Sequence, residues 1–227
     1  MRPDPSGSPE IAPRRARTDG GGAGITAVAV IIASLIGIIG IFDSVAGAAL
    51  QIGQIAPDFA ATNSKGEPIR LSEYRGKTVV LEWTNADCPY THKHYASGNM
   101  QAMQALAQKS GIVWLTVISS APGKQGYVNG PAADALTQSR SAQPTAVLLD
   151  PTGTLGRLYD AKTTPHMFVI DKDGALKYMG GIDSMATTSE DDIARAEPYL
   201  KEAMLAVAAG QPVPHPVTKP YGCAVKY

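Results

Sequence analysis

The sequence is poor in cysteine, poor in histidine and without excess charge of either sign, and each shortage narrows what the chain can do. Among 227 residues there are two cysteines, Cys88 and Cys223, and four histidines, His92, His94, His166 and His215. Two cysteines can neither staple a mini-domain nor supply a four-thiolate zinc site. They leave a single bridge, a pair of free thiols, or one nucleophile with a partner. Lys plus Arg and Asp plus Glu both number 20, for a formal net charge of zero. Residues 1–48 hold four basic residues (Arg2, Arg14, Arg15, Arg17) and four acidic ones (Asp4, Glu10, Asp19, Asp43), so the remainder is neutral as well. A nucleic-acid binder needs a basic surface to neutralise phosphates. No nucleic-acid partner is therefore expected.

What is present begins with a segment of unusual composition. Residues 1–24 are rich in Pro, Gly and Arg and are expected to be disordered, because they cannot bury a core. The apolar run Ile25–Phe42 follows, with Arg14-Arg15-Ala16-Arg17 upstream. Positive charge ahead of an apolar stretch orients insertion with the N-terminus inside. Eighteen residues at 1.5 Å rise span about 27 Å, almost a membrane thickness. Ala46-Gly47-Ala48 fits the small-residue pattern of a signal-peptidase site. Residues 25–48 thus read as a signal peptide or as a membrane anchor through residues 25–42. Either way the remainder is expected to be periplasmic or otherwise extracytoplasmic, in an oxidising compartment.

The rest, about 180 residues, suffices for one well-buried domain. Ile52–Phe59 reads as the opening of the folded part, with Pro57-Asp58-Phe59 leading into a first strand. Asn63-Ser64-Lys65-Gly66 marks a hairpin turn and Ile69-Arg70-Leu71 the return. Thr78–Trp83, β-branched and apolar, predicts a buried central strand. Cys88-Pro89 opens a helix expected to continue to about Lys109, since Pro is favoured at the first helical position. Met100, Met103, Leu106 and Ala107 form its core face. Ile112–Ile118 is a second buried strand, Pro131–Ser141 a second helix, and Thr145–Leu149 a third strand. Met167–Ile170 and Ala175–Met179 form a hairpin across Asp171-Lys172-Asp173-Gly174. Residues 189–209 give a last helix divided at Pro198, and the Pro-rich tail 210–227 should run extended. The expected fold class is α/β: the order β-α-β-α-β, then β-β-α, is the thioredoxin arrangement, a central mixed sheet flanked by helices. An N-terminal β-hairpin and the tail extend it, and the domain occupies residues 50–209.

Three motifs carry candidate chemistry. In Trp83-Thr84-Asn85-Ala86-Asp87-Cys88-Pro89-Tyr90-Thr91 a cysteine stands between a buried strand and the first turn of a helix. The N–H groups and dipole of a helix N-terminus stabilise a thiolate there. At a pKa near 8.5 only ~3% of a thiol is ionised at pH 7, against ~75% at a pKa near 6.5. His92, four residues on, is a candidate for tuning that thiol. In Thr163-Thr164-Pro165-His166, a proline just before a buried strand marks a cis-proline loop. The backbone of Thr164 would then be free to pair with an extended thiol substrate. In Tyr221-Gly222-Cys223 the second cysteine sits on a tail long enough, at about 40 Å, to reach Cys88. Three roles stay open for Cys223: resolving thiol, structural bridge, or unpaired thiol. Cys88, His92 and His166 form a further, weaker candidate set for copper or zinc.

Ala56-Pro57-Asp58-Phe59, Leu71-Ser72, Gly76–Leu81, Cys88-Pro89, Thr164-Pro165 and Phe168–Gly174 together resemble the alkyl hydroperoxide reductase/thiol-specific antioxidant (redoxin) family over residues 50–205. Asn85-Ala86-Asp87-Cys88-Pro89-Tyr90 and the terminal Gly222-Cys223-Ala224-Val225-Lys226-Tyr227 are similar to its thioredoxin-like bacterial members. The resemblance implies a thiol oxidoreductase with no cofactor, and the N-terminal segment makes it an exported one. It would meet a thiol or disulfide protein or a small peroxide and be restored by an external thiol reductant. Cys88 would be the nucleophile and Cys223 its resolving partner. His92 and Asn85 would assist, while Pro89, Thr164 and Pro165 position the substrate. Two departures qualify this. Thr91 and Asn85, three residues either side of Cys88, exclude a local dithiol. Leu81 and Asn85 replace the Pro and Thr of classical peroxiredoxins, leaving Asn85 as the one candidate donor to a peroxide. The alternatives are a copper- or zinc-binding protein on the same fold and a non-catalytic redoxin interaction domain.

Overall fold

The computed structural model describes residues 50–227; the expectations for residues 1–24 and 25–48 lie outside them. The chain enters at Leu50 and forms β1 (Ala60–Asn63), β2 (Pro68–Arg70), β3 (Val79–Trp83), α1 (Pro89–Ala96), α2 (Asn99–Lys109) and β4 (Val113–Ile118). It continues through α3 (Gly130–Ser139), β5 (Ala146–Leu149), α4 (Thr154–Leu158), β6 (Thr163–Thr164), β7 (His166–Ile170) and β8 (Leu176–Gly180). It ends with α5 (Tyr199–Ala208) and β9 (Cys223–Ala224). Seven strands make one mixed sheet in the order β2-β1-β5-β4-β3-β7-β8. Strands β3, β4 and β5 run parallel, while β7 lies antiparallel to β3. The central strands β3, β4 and β7 are buried along their whole length, as strands covered on both faces must be.

One face of the sheet packs Leu81, Trp83, Leu115, Tyr159 and Phe168. The other packs Val80, Met100, Met103, Trp114, Val169 and Met204. Trp83, Tyr159 and Phe168 meet edge-on or tilted at 5.2–5.6 Å between ring centroids, beneath the end of β3 that leads to Cys88.

The structure differs from the sequence expectations at three places. The single helix 88–109 is two helices, because Gly98 takes a left-handed conformation (φ 77°) that an α-helix does not continue through. Ile52–Phe59 leads into the first strand as expected: Ile55 makes one isolated bridge to Ala175, and pairing begins at Ala60. The short helix α4 was not foreseen. The tail is not free: β9 pairs antiparallel with β6, Val217 bridges Met179, and Lys226 bridges Ser120. The helix expected over 189–209 is divided at Pro198, into a 3₁₀ segment Glu190–Arg195 and α5.

Candidate active site around Cys88

Strand β3 ends at Trp83, whose indole N–H donates to Ser119 at 3.0 Å; Ser119 in turn donates to Asp150 at 2.6 Å. Asp150 accepts the N–H groups of Leu155 and Gly156, fixing the start of α4. This buried chain ties the strand carrying the cysteine to the loop before the cis proline. The chain then turns through Asn85, which accepts the N–H of Asp87 at 2.9 Å and donates to the Gln125 carbonyl at 3.4 Å. Asp87 and Gln125 close the same loop from the other side. Both ends of the Asn85 amide are therefore spent on loop structure.

Cys88 is the N-cap of α1, with extended backbone (φ −87°, ψ 120°) and Pro89 in the first turn. Its side chain is fully buried. The sulfur lies 3.1 Å from the Thr164 carbonyl, to which the thiol donates, and 3.4 Å from the N–H of Cys223. The Thr164–Pro165 bond is cis. Burial pushes the Cys88 thiol up, but the Cys223 thiol, the N–H groups of Thr91 and Cys223 and the Thr164 hydroxyl outweigh it, and the thiol ionises below its usual range. Cys223 moves the other way. Burial first, then the hydrogen bond to Cys88 and its charge, push it up to about 11 against a smaller opposing pull from Lys226. Both thiols are free.

The tail brings this about through a short strap. Thr164 pairs with Cys223 and Thr163 with Ala224. The Val225 N–H donates to Lys162, and Ala121 donates to the Lys226 carbonyl at 2.9 Å. Gly222 (φ 124°) lies so close to Thr164 that a Cβ there would overlap its carbonyl. Tyr221 and Tyr227 anchor the two ends. The Tyr227 hydroxyl donates to Ala161 at 3.0 Å, and Arg157 lies 4.6 Å from its ring centroid.

The histidines divide differently from the sequence reading. His92 is exposed on the outside of α1, beside Ala86 and Arg140, and is not brought to the thiol. His166 is buried; its Nδ1 accepts the Lys162 N–H and its ring packs on Phe168. Burial pulls its pKa down to about 4. Among the described residues no three His, Cys, Asp or Glu side chains form a cluster able to hold a metal, so Cys88, His92 and His166 are not assembled as ligands.

The residues the sequence reading missed are Lys93, His94 and Asp183, all buried. Asn99 donates to His94 Nδ1 at 2.8 Å, and His94 Nε2 lies 3.1 Å from the Tyr221 hydroxyl. That hydroxyl donates to Asp183. The order fixes His94 as the neutral Nε2–H tautomer, consistent with burial and Lys93 lowering its pKa to about 3. No local pattern signals these residues, because Tyr221 meets Asp183 across 38 residues of sequence.

A free thiolate-forming cysteine at a helix N-terminus, facing a cis proline on a mixed α/β sheet, defines a thioredoxin-fold, thiol-dependent oxidoreductase. Residues 52–179 match the AhpC/TSA family, and the chain belongs to it. It is 28% identical over 154 residues to the thiol-disulfide oxidoreductase ResA of Geobacillus kaustophilus, covering 65% of this chain and 76% of that protein. A putative thiol:disulfide interchange protein DsbE from Chlorobium tepidum superposes with a TM-score of 0.51 at 25% identity, over 70% of this chain and 99% of that one. An uncharacterized conserved protein from Geobacillus kaustophilus shares the fold with a TM-score of 0.66 at 20% identity, over 78% and 93% of the two chains.

Proposed function

We propose that the chain is an exported thiol–disulfide oxidoreductase whose working pair is Cys88 and Cys223. The observation that carries this reading is the Cys223 N–H directed at the Cys88 sulfur from 3.4 Å. The Cys88 thiolate attacks a substrate disulfide; the substrate S–S bond breaks, a mixed disulfide to Cys88 forms, and one substrate thiolate leaves with the electron pair. While Cys88 is an anion, its charge and hydrogen bond hold Cys223 protonated. Once Cys88 is tied up that influence vanishes, and Cys223 ionises more readily. The Cys223 thiolate then attacks the Cys88 sulfur and releases the second substrate thiolate. The protein ends as the Cys88–Cys223 disulfide and the substrate gains two electrons. An external thiol reductant resets the pair.

A disulfide substrate is favoured over a peroxide because the Asn85 amide is committed to Asp87 and Gln125. The name of the ResA relative agrees. Export, by a cleaved signal or through a retained anchor, rests on the arginine-flanked apolar run 25–42 and on Ala46-Gly47-Ala48. Thiol trapping followed by peptide mass mapping tests the pair. A Cys88–Cys223 bridge that appears with one equivalent of disulfide and disappears with dithiol is expected. Two thiols that stay free under both conditions overturn the reading.

A further inference from the structure

The strap lies where an extended substrate would lie. Its Cys223 pairs with Thr164 beside the cis proline and meets the nucleophilic sulfur. Two residues earlier, Tyr221 is buried in a polar socket. Its hydroxyl links His94 and Asp183, Tyr90 packs edge-on at 5.9 Å, and the Lys93 ammonium lies 5.4 Å from the ring centroid. Between the two, Gly222 passes against the Thr164 carbonyl with no room for a side chain.

The socket is built for a phenol rather than for any large apolar group. Asp183 is 5% exposed, and its second oxygen has no hydrogen-bond partner, with Lys93 Nζ and His94 Nε2 each 3.8 Å away. With Tyr221 withdrawn, the buried Asp183 carboxylate would keep only the Met185 N–H, at 3.0 Å, and the neutral His94 N–H would lose its partner. Buried polar groups left unpaired are costly, so the empty socket selects an incoming group that donates to a carboxylate, accepts from an imidazole and carries an aromatic body. A tyrosine side chain does all three.

We propose that the strap is a built-in pseudo-substrate and that the socket of Lys93, His94, Asp183 and Tyr90 is a subsite for a tyrosine two residues before the reacting cysteine of a polypeptide substrate. The substrate class is an extended segment reading Tyr-small-Cys, able to replace residues 221–223 in register. This rests on the exchange reading above and names the substrate that reading leaves open.

The test uses the full chain carrying Tyr221→Ala and Cys223→Ser, which frees the socket and leaves Cys88 as the one thiol. The probes are peptides Tyr-Gly-Cys-Ala, Ala-Gly-Cys-Ala and Tyr-Val-Cys-Ala, each with its cysteine activated as the mixed disulfide with 5-thio-2-nitrobenzoate. Attack by Cys88 forms the protein–peptide disulfide and releases the coloured thiolate with the electron pair. The Tyr-Gly-Cys-Ala peptide is expected to react about tenfold faster or more than either relative, and this preference is expected to collapse when Asp183→Asn is added. Tyr221→Phe with Cys223→Ser, which keeps the ring packing and removes only the hydroxyl, is expected to give the same ordering with a smaller spread. Equal rates for the three peptides, with brisk reaction toward 5,5′-dithiobis(2-nitrobenzoate), overturn the subsite alone. Silence toward every disulfide overturns the exchange reading and the subsite with it.

Discussion

The backbone N–H of Cys223 reaches the sulfur of Cys88 at 3.4 Å across 135 residues of sequence. The two thiols shift in opposite directions: against burial, the Cys223 thiol helps lower Cys88, and burial followed by the same contact raises Cys223. Replacing Cys223 with Ala removes the S–H donor and retains the N–H. The pH profile of Cys88 alkylation should then move to higher pH. Its rate per accessible thiol at pH 7 should fall about three- to tenfold as the thiolate fraction drops. Cys223→Ser, which keeps a hydroxyl donor, should move it less. Iodoacetamide kinetics from pH 5 to 9 measure both; unshifted profiles would show that the second thiol plays no part in activating the first.

Gly222 sets how closely the strap can approach. A Cβ there overlaps the Thr164 carbonyl, and its φ of 124° is one that L side chains rarely adopt. Gly222→Ala should lift the strap without unfolding the sheet. We expect about 1–2 kcal/mol of lost stability, a Cys88 that becomes accessible to alkylation, and a loss of about tenfold or more in the rate of Cys88–Cys223 bridging. Mass spectrometry of timed oxidation samples reads the last of these, and bridging at the parent rate contradicts the close-approach argument.

Glu82 lies one residue before the end of the central strand β3 with no exposed surface, and one carboxylate serves three donors: Tyr95, Trp114 and Thr116 at 2.8–2.9 Å. Burial raises its pKa, against which these hydrogen bonds and Arg140 pull downward. Glu82→Leu leaves three buried donors without a partner and should cost on the order of 3–5 kcal/mol. Glu82→Gln, which keeps one acceptor oxygen, should cost about 1–3 kcal/mol. Urea midpoints measure both, and a Leu variant as stable as the parent would mean that water replaces the carboxylate.

The sheet was legible because β4 is an unbroken run of apolar and β-branched residues and β3 is one interrupted only by Glu82, and such runs admit few structures besides buried strands. Gly98 was passed over because a single glycine within a helical pattern is usually tolerated, whereas here it holds a left-handed φ and breaks the helix. The choice of His92 over His94 failed for a geometric reason. Helical spacing sets residue 92 beside residue 88 only when both are helical, but Cys88 is an N-cap with extended backbone. Its side chain leaves the wheel, and His94, which faces inward, enters the socket instead. The strap was half legible: its reach and its cysteine were plain, while its register depends on Tyr221 finding Asp183, a contact 38 residues apart that no local pattern encodes.

The two buried histidines make stability depend on pH with a definite sign. Burial and the Lys93 charge lower His94 to about 3; burial and Lys162, against Asp160, lower His166 to about 4. Both sit below the unfolded value near 6.5, so the unfolded chain binds more protons across that interval. Their stabilising contribution is complete above about pH 6.5 and is lost as pH falls toward the folded values. By pH 5 each should have cost about 2 kcal/mol, or about 4 kcal/mol together. His94→Asn and His166→Asn should each flatten the slope by about half, at some loss of stability at pH 7. Urea unfolding at pH 7.5, 6.5, 5.5 and 5.0 checks this. A flat stability curve would place both imidazoles in contact with water.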